Sequence, residues 1–351
     1  MFTLSDASTD VKKILISLSL IVGAIVAIFI LFKAILIVKE IIFPSPPPAP
    51  TILFGKLQPQ VFPKNVTDKT FTYTVNTLSG NLPTFPNQAK IYRTKQPAPD
   101  LLAVKKYDEK AQAVKFRSGY TSLSDKIFQW NSTGDPASID KTLRINIVNG
   151  DFTVTSNYLA YKSITSPKNV PTPDDATKLA QDFLTNMNVL TDDFDLTKTT
   201  TNLYTFSNGS LIPATSLSNT QIIEVNFFQK DIDKLPVFYE KPQSSNIRVL
   251  VAGGDYGPQV VEVDFNHQAI SDVFSTYPIK TSAQAFSDLK NNKSYIGSYT
   301  GTASGINITD VSLGYYFSNT SQDFIMPVFI FTGDNGFTAY VPAVTDEWIN
   351  N

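Results

Sequence analysis

Few residues in this chain could do acid–base or nucleophilic chemistry. Its 351 residues contain one histidine, His267, and no cysteine, which excludes cysteine nucleophiles, disulfides and multi-histidine metal sites. A Ser-His-Asp triad could use only His267. That residue lies in "DFNHQAI", just beyond a predicted strand, and no G-x-S-x-G motif precedes it. We interpret His267 as a solvated loop residue.

Two further groups of residues have spacings seen in functional sites. Ser287 and Lys290 in "FSDLK" have S-x-x-K spacing on a predicted helix, but the S-D-N and K-T-G companions of penicillin-binding enzymes are missing. The carboxylates of Asp192–Asp195 could hold Ca²⁺, yet the glycine and terminal glutamate of an EF-hand are absent. A solvated loop is the favoured interpretation, and ion binding there stays open. The sequence predicts no catalytic, cofactor-binding or metal-binding residue.

Composition indicates a packed, β-rich protein. Hydrophobic residues make up 42% of the chain and charged residues only 17%, while Ser, Thr, Asn and aromatic residues are abundant, as in the strands and polar surfaces of sheets. The net charge is −2 and the pI is near 5.5. Because no basic stripe interleaved with aromatics occurs, nucleic acid is not an expected partner.

An N-terminal apolar segment predicts a membrane anchor. Ile14–Phe32 carries no charge and can cross a bilayer as a helix, at about 1.5 Å per residue. We predict a cytoplasmic tail over 1–13 and a transmembrane helix over 14–43. A cleaved signal peptide and a buried soluble helix are the alternatives, but no A-x-A-like site follows. A long following domain can be translocated regardless of flanking charge, so we expect it outside the cytoplasm.

The rest of the chain is predicted to be a spacer and two modules. "FPSPPPAP", residues 43–50, should form a stiff polyproline spacer. The extended segment after it should be an edge strand or a strap against the first module, so that spacer and strap together cover 44–63. We place a first α+β module at 64–170 and a larger one at 171–351, which could divide near residue 275.

A helix followed by a hairpin recurs in these modules. The first helix is predicted to open at Pro99 and Asp100. The second is capped by Thr172 with Pro173 at its first position. Thr281 and Gln284 have capping-box spacing before the third. The chain is therefore predicted to be α+β, with antiparallel sheets built from repeated units.

Asn-Gly pairs predict the tight turns of the hairpins. They occur at 149–150, 208–209 and 335–336, and a type I′ turn needs positive φ at both central residues, which Asn and Gly tolerate best. At the first turn, Ile147 should face Phe152 and Ile145 should face Val154. Asp334 directly precedes the last turn. We interpret it as a hairpin corner without a chemical role.

Another hairpin is predicted from "NIRVLVAGGDYGPQVVEVDF". Its glycine-rich centre joins two strands and contains no lysine, so we interpret it as a hairpin loop rather than a phosphate-binding loop. The alternating apolar residues of the first strand should face those of the second. The predicted facing sets are Ile247, Val249 and Val251 on one strand and Val261, Val263 and Phe265 on the other.

The C-terminal pattern resembles a known family. "TSAQAFSDLKNN" leading to "VSLGYYF", "MPVFIF" and "AYVPAV" resembles PepSY-like extracytoplasmic modules, and more particularly the membrane-anchored YycH/YycI-type regulators of a bacterial sensor kinase. The resemblance covers Tyr277–Val344, and the proline spacer and greater length depart from that family. "PPPAPTILFGKLQPQVFP" is similar to uncharacterised anchored proteins of candidate-phylum bacteria. The family resemblance implies protein–protein regulation at the membrane and supplies no catalytic residues.

The sequence thus favours a non-enzymatic, single-pass membrane protein with an extracytoplasmic domain. It would contact the lipid bilayer through Ile14–Phe32 and bind a protein, peptide or envelope polymer, regulating a membrane sensor or envelope machinery. Exposed sheet edges could take up an added strand. The alternatives are a structural or adhesive surface protein and an envelope hydrolase.

Overall fold

The computed structural model describes residues 4–42, 48–95, 97–135, 137–166 and 168–350. The chain forms two compact units, Met1–Ala49 and Pro50–Asn351. The first contains α1, Leu4–Ile42. Its segment Leu18–Leu36 is apolar and long enough to span a membrane, and no part of it is buried by protein. Residues 43–47, where the proline spacer was predicted to begin, lie outside the described residues.

The second unit is α+β and mostly sheet. Its helices are α2 Ala103–Ala113, α3 Lys162–Thr165, α4 Pro173–Asn186 and α5 Ser282–Lys290. Its strands are β1 Thr72–Val75, β2 Gln88–Thr94, β3 Thr121–Ser122, β4 Ile127–Asn131, β5 Lys141–Asn146, β6 Phe152–Ser156, β7 Phe194–Ser207, β8 Ser210–Pro213, β9 Ile222–Gln229, β10 Val237–Tyr239, β11 Ile247–Ala252, β12 Gln259–Phe265, β13 Ile270–Pro278, β14 Tyr295–Ser298, β15 Gly305–Phe317, β16 Phe324–Gly333 and β17 Thr338–Pro342.

A nine-stranded antiparallel sheet takes strands from both sides of residue 170. Its order is β3-β4-β5-β6-β12-β11-β9-β7-β8, and β6 pairs with β12 through Phe152 and Phe265. The two predicted modules therefore share one sheet. One face packs against α2 and α4 over a core that includes Trp130, Leu143, Ile145, Val154, Leu184, Val225, Val249 and Val263.

An eight-stranded sheet forms the rest of the unit. Its main path is β1-β15-β16-β17-β14, β10 also pairs with β15, and β2 joins β16 to β13. Because β1 and β10 run parallel to β15, this sheet is mixed, which corrects the expectation of purely antiparallel sheets. The central strand β16 is buried from Ile325 to Phe331, as expected for a strand covered on both faces.

Two of the three predicted helix starts are confirmed. The Thr172 hydroxyl accepts a hydrogen bond from the Asp175 N–H at 3.2 Å, with Pro173 at the first position of α4. Thr281 and Gln284 form a reciprocal capping box on α5. By contrast, α2 begins at Ala103, after the predicted start, and no side chain caps it.

Two of the three predicted type I′ turns are also confirmed. Asn208 and Gly209 have φ of 49° and 77°, and Asn335 and Gly336 have φ of 54° and 65°. Each pair connects adjacent antiparallel strands, β7 to β8 and β16 to β17. Both turns therefore have the left-handed backbone that the Asn-Gly pattern indicates.

The predicted turn at Asn149-Gly150 is wrong. Only Gly150 has a positive φ, 83°, and its N–H donates to the Asn146 carbonyl at 2.8 Å, closing a loop of four residues. Ile145 consequently pairs with Phe152 rather than with Val154. The partner is displaced by two residues, so Ile145, Phe152 and Val154 still face the core. Ile147 lies in the loop beyond β5 and is not in this core.

The hairpin of β11 and β12 contains an unpredicted bulge. Ile247 pairs with Phe265 and Val249 with Val263, as expected, but the register shifts after Leu250 so that Val251 opposes Val260. Val261 therefore joins Leu250 in a smaller apolar cluster instead of the main core. A bulge adds one residue to one strand, so the residues of that strand beyond the bulge point to the opposite face of the sheet from the one expected.

The predicted strap packs on the eight-stranded sheet. Ile52 donates its N–H to the Thr276 carbonyl at 3.1 Å, and the buried Leu57 forms a parallel bridge with Ile349. The strap thus lies along β13 and the C-terminal residues. It covers part of an edge that would otherwise be free to pair.

Candidate functional site

His267 is held inside the fold, so its interpretation as a solvated residue is wrong. Its side chain is 13% exposed, and its Nε2 lies 2.8 Å from Asp193 Oδ2. The imidazole stacks on the Phe194 ring, with centroids 5.2 Å apart, and lies beside the Phe265 ring at 6.0 Å. The ends of β7 and β12 supply these two rings. The histidine therefore braces two strands of the nine-stranded sheet.

The acidic cluster Asp192–Asp195 is divided between separate contacts. Asp193 accepts hydrogen bonds from Thr191 and Gln229 as well as pairing with His267. Burial alone would raise the pKa of the Asp193 carboxyl, but its bonds to His267 and these two residues hold that pKa well below its usual range. Asp195 instead accepts from the N–H and hydroxyl of Thr197. Among the described residues, no group of three or more His, Cys, Asp or Glu could hold a metal ion.

Ser287 and Lys290 do not form a nucleophile–base pair. Both are exposed on α5. The Lys290 ammonium lies 4.9 Å from the centroid of the Phe286 ring, and the Ser287 hydroxyl accepts a long bond from the Asn291 amide at 3.5 Å. The S-x-x-K spacing places both residues on the exposed surface of α5, but the Lys290 ammonium is directed to the Phe286 ring and not to the Ser287 hydroxyl.

Asp334 lies at the hairpin corner that its sequence predicts. Its two carboxylate oxygens accept from the N–H and the side-chain amide of Asn307, at 3.2 and 2.9 Å. These bonds attach the turn between β16 and β17 to the start of β15. The contacts of Asp334 are those of a structural residue.

A polar row crosses the nine-stranded sheet on the face opposite α2 and α4. Side chains alternate along a strand, so residues paired across neighbouring strands share one face. Registers between β4 and β9 align six polar residues in this way. They are Gln129, Arg144, Thr153, Asp264, Arg248 and Asn226.

Arg248 organises the centre of this row. Its guanidinium contacts Asp264 at 2.6 Å, Glu262 at 2.7 Å and Glu224 at 3.3 Å. Burial would lower the pKa of Arg248, but the adjacent carboxylates raise it, while burial raises the pKa of Glu262. Glu224 also accepts from the amides of Asn202 and Asn226. This network fixes its members against one another and forms a rigid floor.

A cleft of about 520 Å³ lies beside the polar row, where the two sheets meet. Asn246 closes its base by donating to the carbonyls of Phe317 and Ser318, at 3.2 and 3.1 Å. We call it the sheet-junction cleft. Its charged and amide lining includes Arg144, Asn146, Asp151, Glu240, Lys241, Arg248, Asp264, Asn266 and Asn319.

The carboxylates of this cleft are engaged by protein groups. Asp264 pairs with Arg248. Glu240 accepts from the N–H and the amide of Asn319, at 3.0 and 2.8 Å. Asp151 accepts from the His267 N–H at 3.2 Å, and burial raises the pKa of its carboxyl. These acids are therefore poorly placed to attract a cation.

By contrast, two cations at the rim of the cleft and one amide oxygen lack such partners among the described residues. Within the part of the chain that the structure describes, neither Arg144 nor Lys241 has an acidic partner; Arg144 donates only through Nε, to Gln129 at 2.9 Å. Asn266 Oδ1 is buried there without a hydrogen-bond partner. The cleft thus offers two cations and one acceptor to an anionic ligand that also carries an N–H or O–H.

These residues were not predicted from the sequence, although a signal was present. A single charged residue interrupts each of two strongly apolar strands. Glu224 does so in "QIIEVNFF" and Arg248 in "NIRVLV". Such residues need partners when buried. That pattern could have pointed to a polar row on one face of the sheet.

The outer strands β8 and β14 offer little room for an added strand. In the described residues, β8 covers the end of β7 and finishes at Pro213, and the register of β7 shifts between Asp195 and Thr200. The outer strand β14 is contacted by Asn65 and Val66 through Ile296. Short, bulged and covered edges resist strand addition, so the cleft is the stronger candidate site.

Comparison with known proteins gives no family assignment. No family model matches the chain, and no curated protein matches it. A solved structure, that of an uncharacterized protein from Eubacterium rectale ATCC 33656, is similar with a TM-score of 0.39 and 14% identity, over 80% of this chain and 90% of that one. A similarity at this level carries no argument about function. The resemblance to PepSY-like and YycH/YycI-type proteins stays a prediction.

Proposed function

We propose that this is a non-enzymatic, membrane-anchored extracytoplasmic protein whose sheet-junction cleft binds an acidic segment of a partner protein. Anchoring is supported by Leu18–Leu36, which is apolar over 19 residues and unburied. The orientation, with the N-terminus in the cytoplasm, belongs to the proposal. Regulation of a membrane sensor or envelope machinery would agree with the resemblance to YycH/YycI-type regulators.

The observation that carries the proposal is a pair of cations, Arg144 and Lys241, that have no acidic partner among the described residues and lie beside carboxylates that are already engaged. An incoming carboxylate would gain an ion pair at Arg144 without displacing an internal one, and a guanidinium can hold it through two parallel hydrogen bonds. Asn266 Oδ1 could accept a backbone N–H of the same segment. A polypeptide with acidic side chains supplies both groups.

Binding is favoured over hydrolysis by the contacts of the reactive residues. In the described residues, the His267 ring contacts Asp193 and two phenylalanine rings, and no hydroxyl group donates to it. Ser287 lies on α5 in the other part of the fold, without a base. These contacts support a protein that recognises a partner rather than one that cleaves a substrate.

Site-specific photo-cross-linking in the native membrane tests the proposal. A benzophenone amino acid replaces Ser244, which lines the cleft, or Leu101, which is fully exposed away from it. We expect a protein adduct from position 244 that disappears when Arg144→Glu and Lys241→Glu are added. Equal adducts from both positions, or an adduct that survives charge reversal, would refute the cleft as the binding site. Adducts only with the protein itself or with foreign-cell material would support the adhesive alternative.

A protease experiment tests the orientation separately. Protease added to intact cells should degrade the chain after Pro50, because the extracytoplasmic domain and its connection to α1 would be accessible. Survival of the second unit until the cells are lysed would show that the N-terminus is outside. The result does not depend on the identity of the partner.

A further inference from the structure

A second cavity, of about 340 Å³, opens on the helix-covered side of the nine-stranded sheet. Its walls come from the end of α2 and the following residues, from α4, and from the β11–β12 loop. We call it the Lys141 pocket. Its apolar lining includes Val114, Phe116, Ile139, Leu179, Phe183, Pro258 and Val260. Small-molecule sites are typically cavities of about this size or larger, mostly apolar with a few polar groups.

Lys141 is the unusual residue of this pocket. It begins β5, in which Leu143 and Ile145 point into the helix-side core and are fully buried, so alternation directs Lys141 to the same side. Its ammonium donates to the Val260 carbonyl at 3.1 Å. No carboxylate forms an ion pair with Lys141 among the described residues. A half-buried ammonium with only a carbonyl acceptor is incompletely compensated.

The surroundings of this ammonium confirm that it is partly desolvated. Burial and, to a smaller extent, nearby Lys115 lower the pKa of Lys141 to about 8, while Asp135 acts in the opposite sense. Asp135 is itself engaged, because its carboxylate accepts the Ala137 N–H at 2.9 Å. The titratable or charged groups that line the cavities around Lys141 are Lys115, Arg117, Asp135, Asp140, Tyr161, Asp182 and Tyr256.

We propose that the Lys141 pocket binds a small organic carboxylate, with its apolar body against Leu179 and Phe183 and its carboxylate on the Lys141 ammonium. An ionised ligand of this kind would supply the missing counter-charge and fill the apolar space in one step. The Ser132 hydroxyl, which accepts the Lys141 N–H at 3.0 Å, can donate its own proton to the same carboxylate. This site lies on the opposite face of the sheet from the cleft and does not depend on the proposed function.

The probe for the test is 4-(trifluoromethyl)phenylacetate, observed by fluorine NMR with the full-length protein in lipid nanodiscs. Its uncharged amide, of nearly the same shape, reports the apolar contribution, and empty nanodiscs report partition into lipid. We expect the acid to bind at millimolar concentration or below at pH 7, at least about tenfold more tightly than the amide, a difference of about 1.4 kcal/mol. Equal affinities, or no saturable binding of the acid, would overturn the proposal.

Variants assign the effect to Lys141. Lys141→Met removes the charge while keeping an unbranched side chain only one atom shorter, and it should reduce affinity for the acid to that for the amide. Lys178→Met, on the exposed face of α4, is the matched control and should leave binding unchanged. If Lys141→Met does not fold, Leu179→Trp fills the pocket while retaining the ammonium and should abolish binding of both probes. Unchanged affinity for the acid in either pocket variant would refute the site.

The pH dependence adds an independent readout. Binding requires the protonated ammonium, while the probe's carboxylate stays ionised above pH 6, so affinity should be constant near neutrality. It should fall as the pH rises beyond about 8, the pKa of Lys141. In the amide series the affinity should not change over this range. An acid affinity that is flat to pH 10 would show that the ammonium takes no part.

Discussion

The two sheets of the second unit differ in what their faces carry. In the eight-stranded sheet, β16 is buried on both faces, and aromatic rings such as Phe329, Phe331 and Tyr340 fill the space around it. In the nine-stranded sheet, one face is equally apolar, but the other carries the polar row around Arg248. The first sheet is therefore a rigid support. An apolar cluster with Ile164 of α3 covers part of the face that carries the row, and the sheet-junction cleft beside the row leaves room on which recognition can be built.

The largest expected effect tests the supporting role of the eight-stranded sheet. Phe331 is fully buried in the cluster under α5, so Phe331→Ala should reduce the free energy of unfolding by about 3–5 kcal/mol, through lost burial and an unfilled cavity. Chemical denaturation of residues 50–351 measures this loss. Phe331→Leu should cost clearly less. At a temperature where the variant is folded, cross-linking from position 244 should persist, and its loss would show that the two sheets are not separable in function.

The next effect concerns the polar row. Arg248→Met leaves three carboxylates without their cation, of which Glu224 is only 7% exposed. Removing one member of a buried pair typically costs about 3–5 kcal/mol. Because Arg248 is 30% exposed, we expect about 1–3 kcal/mol after solvent screening.

The pH dependence of Arg248→Met separates charge from packing. Burial already raises the pKa of Glu262 in the folded state, and loss of the Arg248 charge, which acts to lower that pKa, should raise it further. Folding then takes up protons, so the variant should become more stable, relative to the native protein, as the pH falls from 7 toward 5. Thermal melts across that range measure the change. If the loss of stability of Arg248→Met relative to the native protein is the same at every pH, Arg248 acts by packing alone.

Gly336→Val tests the hairpin that joins β16 and β17. Gly336 has φ of 65°, a conformation that a β-branched residue adopts only with strain, so the change should cost about 1–3 kcal/mol. Gly336→Asn, which tolerates the left-handed region, is the control and should cost less. Thermal melts of residues 50–351 decide between them. Equal stability of the two variants would contradict the steric argument.

These hairpins and helices also show what the sequence could reveal. Caps such as Thr172 and the turn at Asn335-Gly336 were predictable because their geometry depends on residues within one turn of chain. The turn at Asn149-Gly150 could not be predicted in this way. Strand β5 ends at Asn146, so residues 147–150 form a four-residue loop rather than a two-residue turn. The bulge after Leu250 likewise depends on pairing with a neighbouring strand.

The candidate site was less predictable than the fold, for a physical reason. Arg144 and Arg248 share one row only because the registers of β5, β6, β12 and β11 agree, and no local pattern fixes three registers at once. His267 was misread because the rings of Phe194 and Phe265 that cover it come from two different strands. Alternation predicts which face a residue takes but not which distant residue it meets.

A smaller effect is expected at Asp193, which braces His267 against the nine-stranded sheet. Its folded-state pKa is lowered, so the folded state binds fewer protons than the unfolded state at acidic pH. The stabilisation is therefore present above the unfolded pKa, about 4, and is lost as the pH falls through the folded pKa. Since the side chain is 35% exposed, Asp193→Asn should cost only about 1 kcal/mol at pH 7 after screening.

Denaturant titrations at pH 7, 5 and 3 check this sign. The difference between the native protein and Asp193→Asn should be smaller at pH 3 than at pH 5. Asp192→Asn is the control, because the Asp192 contact in the structure is made by its backbone carbonyl. A difference that grows as the pH falls would mean that the carboxylate destabilises the fold.

The smallest effect is expected at Asp334, the hairpin corner of the supporting sheet. Asp334→Ala removes two exposed hydrogen bonds to Asn307, and the freed groups can be hydrated, so the cost should be about 0.5–1 kcal/mol. Asn307→Ala removes the amide bond to Asp334 and also the bond that Asn307 Oδ1 accepts from the Thr74 hydroxyl at 2.6 Å, so it should cost about as much. Cross-linking from position 244 should be unchanged in both variants, because Asp334 does not line the cleft. A stable Asp334→Ala variant that no longer captures the partner would make this corner a recognition site and would move function from the nine-stranded sheet to the eight-stranded one.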